Sequence, residues 1–189
     1  MNIGIIGVGN LGLNLLNFLS EQQHEIYVSD VDGDNVDVIR NSDIIFCCVD
    51  TNILPSNFLN ITNVMAVVED FGVSFEDEIP LYNKTFVICS TLNPGDTKKI
   101  MEILNPMNLK VCYLPLIVQS DNILSSLSNL KTIVVGSLDS EVINTITDLF
   151  QPSKNNKLNE FIDCFEENTK VYDLTAQFDS KQLEILGKY

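Results

Sequence analysis

The sequence has no tryptophan and a single histidine, and its 11 lysines and arginines face 26 aspartates and glutamates. Each shortage excludes something. A formal net charge of -15 repels nucleic acid and anionic membrane surfaces, so neither is expected as a partner. That charge still leaves room for a phosphate-bearing ligand, because a helix N-terminus holds phosphate with backbone N–H groups and needs no lysine. The histidine, His24, lies among Gln22, Gln23 and Glu25, where a helical pattern hands over to a strand. In a parallel sheet that is the wrong end for chemistry, since ligands lie beyond the carboxyl ends of the strands. No histidine-dependent triad is therefore expected. No apolar run approaches the ~20 residues needed to span a bilayer, and Met1–Gly7 lacks the basic region of a signal peptide.

Five cysteines are present, Cys47, Cys48, Cys89, Cys112 and Cys164, an odd number without C-x-x-C spacing. That argues against a disulfide framework or a zinc site. They read as buried, reduced thiols of a cytoplasmic protein. The acidic groups Glu69-Asp70 and Glu76-Asp77-Glu78 read as solvated faces, and no spacing suggests a metal site.

What is present is an alternation of two periods. Asn2–Gly7, Glu25–Ser29, Ile44–Val49, Thr85–Cys89, Leu109–Leu114 and Thr132–Val135 are short apolar runs that read as buried strands, the last ended by Gly136. Between them, Asn10–Gln22, Asn63–Phe71, Asp96–Leu104 and Ser140–Phe150 carry apolar residues at helical spacing, and Ile123–Leu127 reads as a short helix. Strands alternating with helices imply an α/β fold of the Rossmann type, a doubly wound, mainly parallel sheet with helices on both faces. Residues 1–152 are expected to form that domain. Residues 153–189 read as a linker (Pro152–Asn159) followed by a helical appendage, with a short helix over Asn159–Glu166, a strand over Lys170–Leu174 and a helix over Ser180–Tyr189. A homodimer contact, if there is one, is expected on that segment.

The candidate site is Gly7-Val8-Gly9-Asn10-Leu11-Gly12, a G-x-G-x-x-G turn between the first strand and the first helix. Asp30 stands 18 residues after Gly12, at the end of the next strand. Together these form a dinucleotide fingerprint. Gly7 permits the tight turn, Gly9 lets a diphosphate approach the backbone, and Gly12 lets the helix pack on the strand. Asp30 would accept hydrogen bonds from the adenosine ribose hydroxyls. With Asp32 close by and no arginine near, a 2′-phosphate would meet two carboxylates, so NAD is expected over NADP. The same turn also suits another nucleotide on the same fold.

These residues, with four further blocks in order, resemble the N-terminal NAD-binding domain of the UDP-glucose/GDP-mannose dehydrogenase family. The blocks are Ile3–Gly12, Asp43–Thr51 (a V-x-T-P-like strand end with Asn52 for proline), Ser90–Thr97 (S-T-x-x-P-G-T) and Ile133–Gly136, and Glu184–Tyr189 resembles the start of the family's connecting helix. The resemblance implies that Gly7, Asn10, Leu11, Gly12 and Asp30 hold the adenosine and diphosphate. It implies that Val49, Asp50, Thr51, Ser90 and Thr91 line the nicotinamide side, with Thr91 helping to position a catalytic water. Read from the residues alone, Thr91 is a strand-end hydroxyl capping the turn before the helix at Asp96. The sequence also departs from the family. Leu116 stands where the family has a catalytic glutamate, and leucine can neither take a proton nor orient water. Asn35 stands for a lysine, and the stretch between Asp30 and Asp43 is so short that a helix is expected to be missing. The family's nucleophilic cysteine and sugar-binding domain are not matched within these residues. The expectation is an NAD-binding protein without a complete catalytic site, or a non-catalytic binder that senses or sequesters NAD or a related nucleotide.

Overall fold

Ile3, Ile5 and Ile6 begin the chain as a β-branched run and form β1 (Asn2–Ile6), buried at every position after the first. α1 (Asn10–Ser20) follows and turns Leu15 and Leu19 inward. Then come β2 (Glu25–Ser29), α2 (Asn35–Asn41) and β3 (Ile44–Cys47). A small antiparallel hairpin of β4 (Asn52–Ile53) and β5 (Leu59–Asn60) leads into α3 (Thr62–Glu76). β6 (Thr85–Ile88), α4 (Asp96–Leu104) and a 3₁₀ turn at Asn105–Met107 complete this part. The computed structural model describes residues 1–30, 33–116, 127–128, 132–150, 159–162 and 169–173. The chain divides into two units, Met1–Val111 and Cys112–Tyr189.

In the first unit β1 pairs in parallel with β2 on one side and β3 on the other, and β3 pairs in parallel with β6. The order is β2-β1-β3-β6. The chain therefore leaves β1 in one direction and continues from β3 in the other, which opens a crevice at their carboxyl ends. The central strands β3 and β6 are buried throughout, as strands covered on both faces must be. Phe71 of α3 meets Phe86 of β6 edge to face, ring centres 4.8 Å apart at 64°. Each such buried side chain contributes roughly 1.5–3 kcal/mol by removal from water.

One helix here was not legible and another runs longer than expected. α2 fills the stretch where a helix was expected to be missing. Its seven residues are too few to show a periodic stripe, and only Val38 and Ile39 are buried. It is held at both ends instead. The Asp34 carboxylate accepts from Asp37 N–H at 3.0 Å, and Lys84 Nζ donates to the carbonyls of Arg40 (3.0 Å) and Ser42 (2.6 Å). α3 runs on to Glu76, past Phe71, and the buried Ser74 donates its hydroxyl back to the Asp70 carbonyl at 2.8 Å within it.

The second unit is antiparallel where it is described. β7 (Lys110–Tyr113) crosses the division, and β8 (Thr132–Ser137) pairs antiparallel with its Cys112 and Tyr113. α5 (Ser140–Leu149) is capped by Asp139, which accepts from Glu141 N–H at 2.8 Å and Val142 N–H at 3.3 Å. β9 (Asn159–Ile162) and β10 (Thr169–Asp173) pair antiparallel with each other, and β10 pairs antiparallel with β8. The mainly parallel reading thus holds, and the antiparallel pairing of β8 was not foreseen, because alternation of element types does not fix strand direction. Gly136 lies within β8, opposite Thr169, and does not end it. The helix expected over Asn159–Glu166 begins instead as the strand β9, where pairing with β10 satisfies the backbone and outweighs local preference. The strand expected at Lys170–Leu174 is present as β10, one residue earlier. Asp32, Cys164, most of the Pro152–Asn159 linker and the Ser180–Tyr189 helix lie outside the described residues. So does the Ile123–Leu127 helix, apart from Leu127, which is buried.

Candidate functional site

The glycine turn is wedged between the ends of β2 and β3. Gly7 has φ +92° and donates its N–H to the Ser29 carbonyl at 2.9 Å. Cys48 N–H donates to the Ile6 carbonyl at 2.8 Å. A Cβ on Gly7 would lie 2.7 Å from Val49 N, so glycine is required for both space and conformation. A Cβ on Gly12 would run into the Gly7 carbonyl oxygen, so α1 rests directly on the turn. Around Gly9 the space is open. The nearest group a Cβ there would meet is Asp50 Oδ1, at 4.0 Å.

Gly9 is also the N-cap of α1. It offers no side-chain cap, and the first turn of α1, which contains Asn10, Leu11 and Gly12, holds no acidic residue. The first-turn N–H groups thus have no side-chain acceptor at their own cap, and the helix presents about half a positive charge there. Open backbone over Gly9 and uncapped amides suit a diphosphate in both shape and hydrogen bonding.

Asp30 is exposed and directly follows Ser29, whose carbonyl holds Gly7. Its own carbonyl accepts from Gly33 N–H at 2.7 Å, which turns the chain toward α2. Asp30 thus stands at the carboxyl end of β2, next to the residue that holds the glycine turn. Val49 and Thr51 are half-buried and Asp50 is exposed beyond β3. The Asp50 carbonyl accepts from Asn63 Nδ2 of α3 at 3.1 Å. Ser90 is buried, and its hydroxyl donates to the Val49 carbonyl at 2.7 Å, with the Cys47 carbonyl at 3.3 Å. Ser90 therefore ties the end of β6 to the end of β3. Thr91, the next residue, is exposed.

Thr91 does not cap α4. That helix begins after Gly95, at φ +88°, with no side-chain cap. Its entry is fixed by Asn93 and Asp96: Asp96 Oδ2 accepts from the Asn93 backbone N–H at 3.1 Å and from its Nδ2 at 2.7 Å. Burial works against the Asp96 charge, but hydrogen bonds from Asn93 and Lys99 outweigh it and hold the carboxyl below its ordinary range. The Asn93 amide also reaches the hairpin, accepting from Leu59 N–H at 2.8 Å and donating to the Leu59 carbonyl at 3.1 Å. Asn93 is a structural organiser that sequence reasoning missed. An asparagine before Pro-Gly signals a turn, but nothing in the sequence points to a partner 34 residues away.

The remaining candidates have surroundings of their own. Asn35 is the first residue of α2, and its Nδ2 donates to Asp70 Oδ2 of α3 at 2.8 Å. His24 stands at the amino end of β2, where burial and the nearby N-terminal charge lower its pKa. Cys47, Cys48, Cys89 and Cys112 are buried, and none of these four is in a disulfide. Burial pushes the Cys47 and Cys112 thiols up to about 12, which makes poor nucleophiles of both. Leu116 is half-buried after Pro115. A groove between the hairpin and α3, lined by Leu54, Leu59, Ile61, Met65 and Glu69, was not foreseen. Among the described residues no group of three or more metal-ligating side chains stands together, and no helix is long and apolar enough to cross a membrane.

No curated protein sequence matches this one. Solved structures share its fold. GDP-mannose dehydrogenase of Pseudomonas aeruginosa superposes with a TM-score of 0.73 at 18% identity, over 79% of this chain and 44% of its own. UDP-glucose dehydrogenase of Pyrobaculum islandicum gives 0.72 at 14% identity, over 81% and 44%. A 3-hydroxyisobutyrate dehydrogenase of Mycobacterium tuberculosis gives 0.57 at 12% identity, over 80% and 51%. The chain spans about 44% of the length of the two sugar-nucleotide enzymes. A family model, the UDP-glucose/GDP-mannose dehydrogenase family NAD binding domain, matches residues 35–154, beginning after the glycine turn and Asp30. That match covers more than half of the sequence, and the chain belongs to the UDP-glucose/GDP-mannose dehydrogenase family through its NAD binding domain.

Proposed function

We propose that this chain holds NAD across the carboxyl ends of β1 and β3, with the diphosphate on the turn Gly7–Gly12. The observation that carries this reading is the open backbone at Gly9 above an uncapped helix N-terminus, at the point where the strand order reverses. In this reading Gly9, Asn10, Leu11 and Gly12 receive the diphosphate. Asp30 accepts the ribose hydroxyls, which also disfavours a 2′-phosphate. Val49, Asp50, Thr51 and Thr91 flank the nicotinamide. Ser90 serves it indirectly, by fixing the Val49 carbonyl.

The reaction of such a site is hydride transfer from the CH–OH group of a nucleotide sugar. The protein's share of that chemistry is to orient the cofactor against the substrate and to supply a base near the carbinol. Thr91 is exposed and could position water, but Leu116 has no proton to exchange. A leucine at the family's acid position favours the second reading, a domain that binds NAD without completing the oxidation. Four buried cysteines outside any disulfide suit a reducing compartment, and we assign the protein to the cytoplasm on that ground.

Calorimetric titration with NAD, NADP and ADP-ribose, followed by a search for NADH formation with UDP-sugars and GDP-mannose, tests both parts. Binding of NAD in preference to NADP supports the site. Equal affinity for the two counts against Asp30. NADH formation by these residues alone would overturn the non-catalytic reading.

A further inference from the structure

Asp50, which the dinucleotide reading sets beside the nicotinamide, also faces the glycine turn. Its carboxylate is the nearest group to the open face of Gly9, 4.0 Å from where a Cβ would stand. Its main chain is fixed on two sides. Asn63 of α3 holds the Asp50 carbonyl, and Ser90 holds the carbonyl of Val49 just before it. Gly7 packs against Val49 N, which ties this strand end to the glycine turn itself. A diphosphate drawn to the α1 amides therefore approaches a carboxylate across the open face of Gly9.

Four of the five lysines and arginines of the first unit do not offset this charge, and the fifth, Lys98, is exposed on α4. Lys84 is engaged by the carbonyls of Arg40 and Ser42, before β3, and Lys110 N–H bonds to the Lys84 carbonyl, so Arg40, Lys84 and Lys110 mark the amino ends of the strands. Lys99 is paired with Asp96 at 3.1 Å. Asp30 adds a second carboxylate at the carboxyl ends, though one that ribose hydroxyls can satisfy. Asp50 has no such partner on the phosphate side.

We propose that Asp50 is a charge-selectivity residue: its carboxylate opposes negative charge on the turn, so that affinity falls with each charge the ligand carries there. The proposal rests on the reading that a diphosphate sits on the turn, and it adds that the site holds its cofactor weakly and releases it readily at low ionic strength. The helix amides attract the diphosphate, Asp50 subtracts from that attraction, and salt screens the subtraction.

The test is Asp50→Asn, which keeps the shape and the carbonyl that Asn63 holds. Both proteins are titrated by calorimetry with NAD, ADP-ribose and adenosine at low salt and at about 0.5 M salt. The variant is expected to bind NAD and ADP-ribose about fivefold more tightly at low salt, as for one charge pair roughly 4–5 Å apart in water. Adenosine affinity is expected to stay unchanged, and the gain should shrink at high salt. An unchanged or weaker NAD affinity in the variant overturns the proposal. So does a gain shared equally by adenosine or indifferent to salt, which would make the effect structural. If the unaltered chain binds adenosine and NAD but the substitution does nothing, only this proposal fails. If it binds neither, the dinucleotide reading fails first and the proposal with it.

Discussion

Replacing Gly12 by alanine should damage the site and the fold together. The added methyl has no room, since it would coincide with the Gly7 carbonyl oxygen and would lie 3.0 Å from the Gly7 carbonyl carbon and 3.3 Å from Cys48 Cβ. Two of the three contacts are main chain and cannot rotate away. α1 must therefore lift from the turn, and Leu15 and Leu19, both fully buried, must shift with it. Overpacking of this kind costs typically 1–3 kcal/mol. The upper half of that range is expected, because the obstacle is backbone rather than a flexible side chain. The displaced amides also leave the diphosphate, so NAD affinity should fall by at least about tenfold, the equivalent of 1.4 kcal/mol. Urea unfolding gives the first quantity as a lower midpoint at unchanged slope, and calorimetry gives the second. An alanine variant as stable as the unaltered chain, within about 0.5 kcal/mol, with NAD affinity intact, would refute the account of how α1 meets the turn.

Asp30→Asn should narrow the preference for NAD over NADP, by on the order of 1 kcal/mol for an exposed charge, read from paired titrations; an unchanged preference removes Asp30 from the ribose site. Asn93→Ala removes both hydrogen bonds to Leu59 and the tie to Asp96. A loss of roughly 1–3 kcal/mol is expected, with faster amide exchange at Leu59, whereas unchanged exchange there would mean that the hairpin holds itself. Alkaline pH should destabilise the fold through two thiols. Cys47 and Cys112 keep their protons up to about pH 12 when folded, against 9.0 as the reference value. Between these limits the unfolded chain binds fewer protons, so stability falls as pH rises, by up to about 1.4 kcal/mol per pH unit per thiol. A Cys47→Ala, Cys112→Ala double variant should show a shallower decline in urea midpoints, and an equal slope would contradict that assignment.

The sequence was informative where a pattern is local. The strands β1, β2, β3 and β6 are short apolar runs, and the glycine spacing identified the turn and the helix it starts. α4 was legible to the residue, because Pro94-Gly95 sets its start. What escaped depends on partners far along the chain. α2 exists because Asp34 and Lys84 satisfy its ends, and Lys84 is 42 residues from Ser42, whose carbonyl it holds. The β4–β5 hairpin has two-residue strands and is anchored by Asn93 across 34 residues. β9 was mistaken for helix because its pairing with β10 is a tertiary choice. Within the candidate site, the glycines and Asp30 were read from spacing, and the residues beyond β3 and β6 came from the family resemblance. That Ser90 is spent on Val49, and that Asp50 faces Gly9, could come only from coordinates.

The central claim is that the dinucleotide lies on the turn between β1 and α1. Backbone amide resonances of the isotope-labelled chain, followed during NAD titration, test it most directly. The account predicts that the largest shifts fall on Gly9, Asn10, Leu11 and Gly12, with Asp30 and Val49–Thr51 next, and that Gly12→Ala abolishes them. Shifts confined to the groove residues Leu59, Ile61 and Met65, with the glycine turn silent, would contradict it.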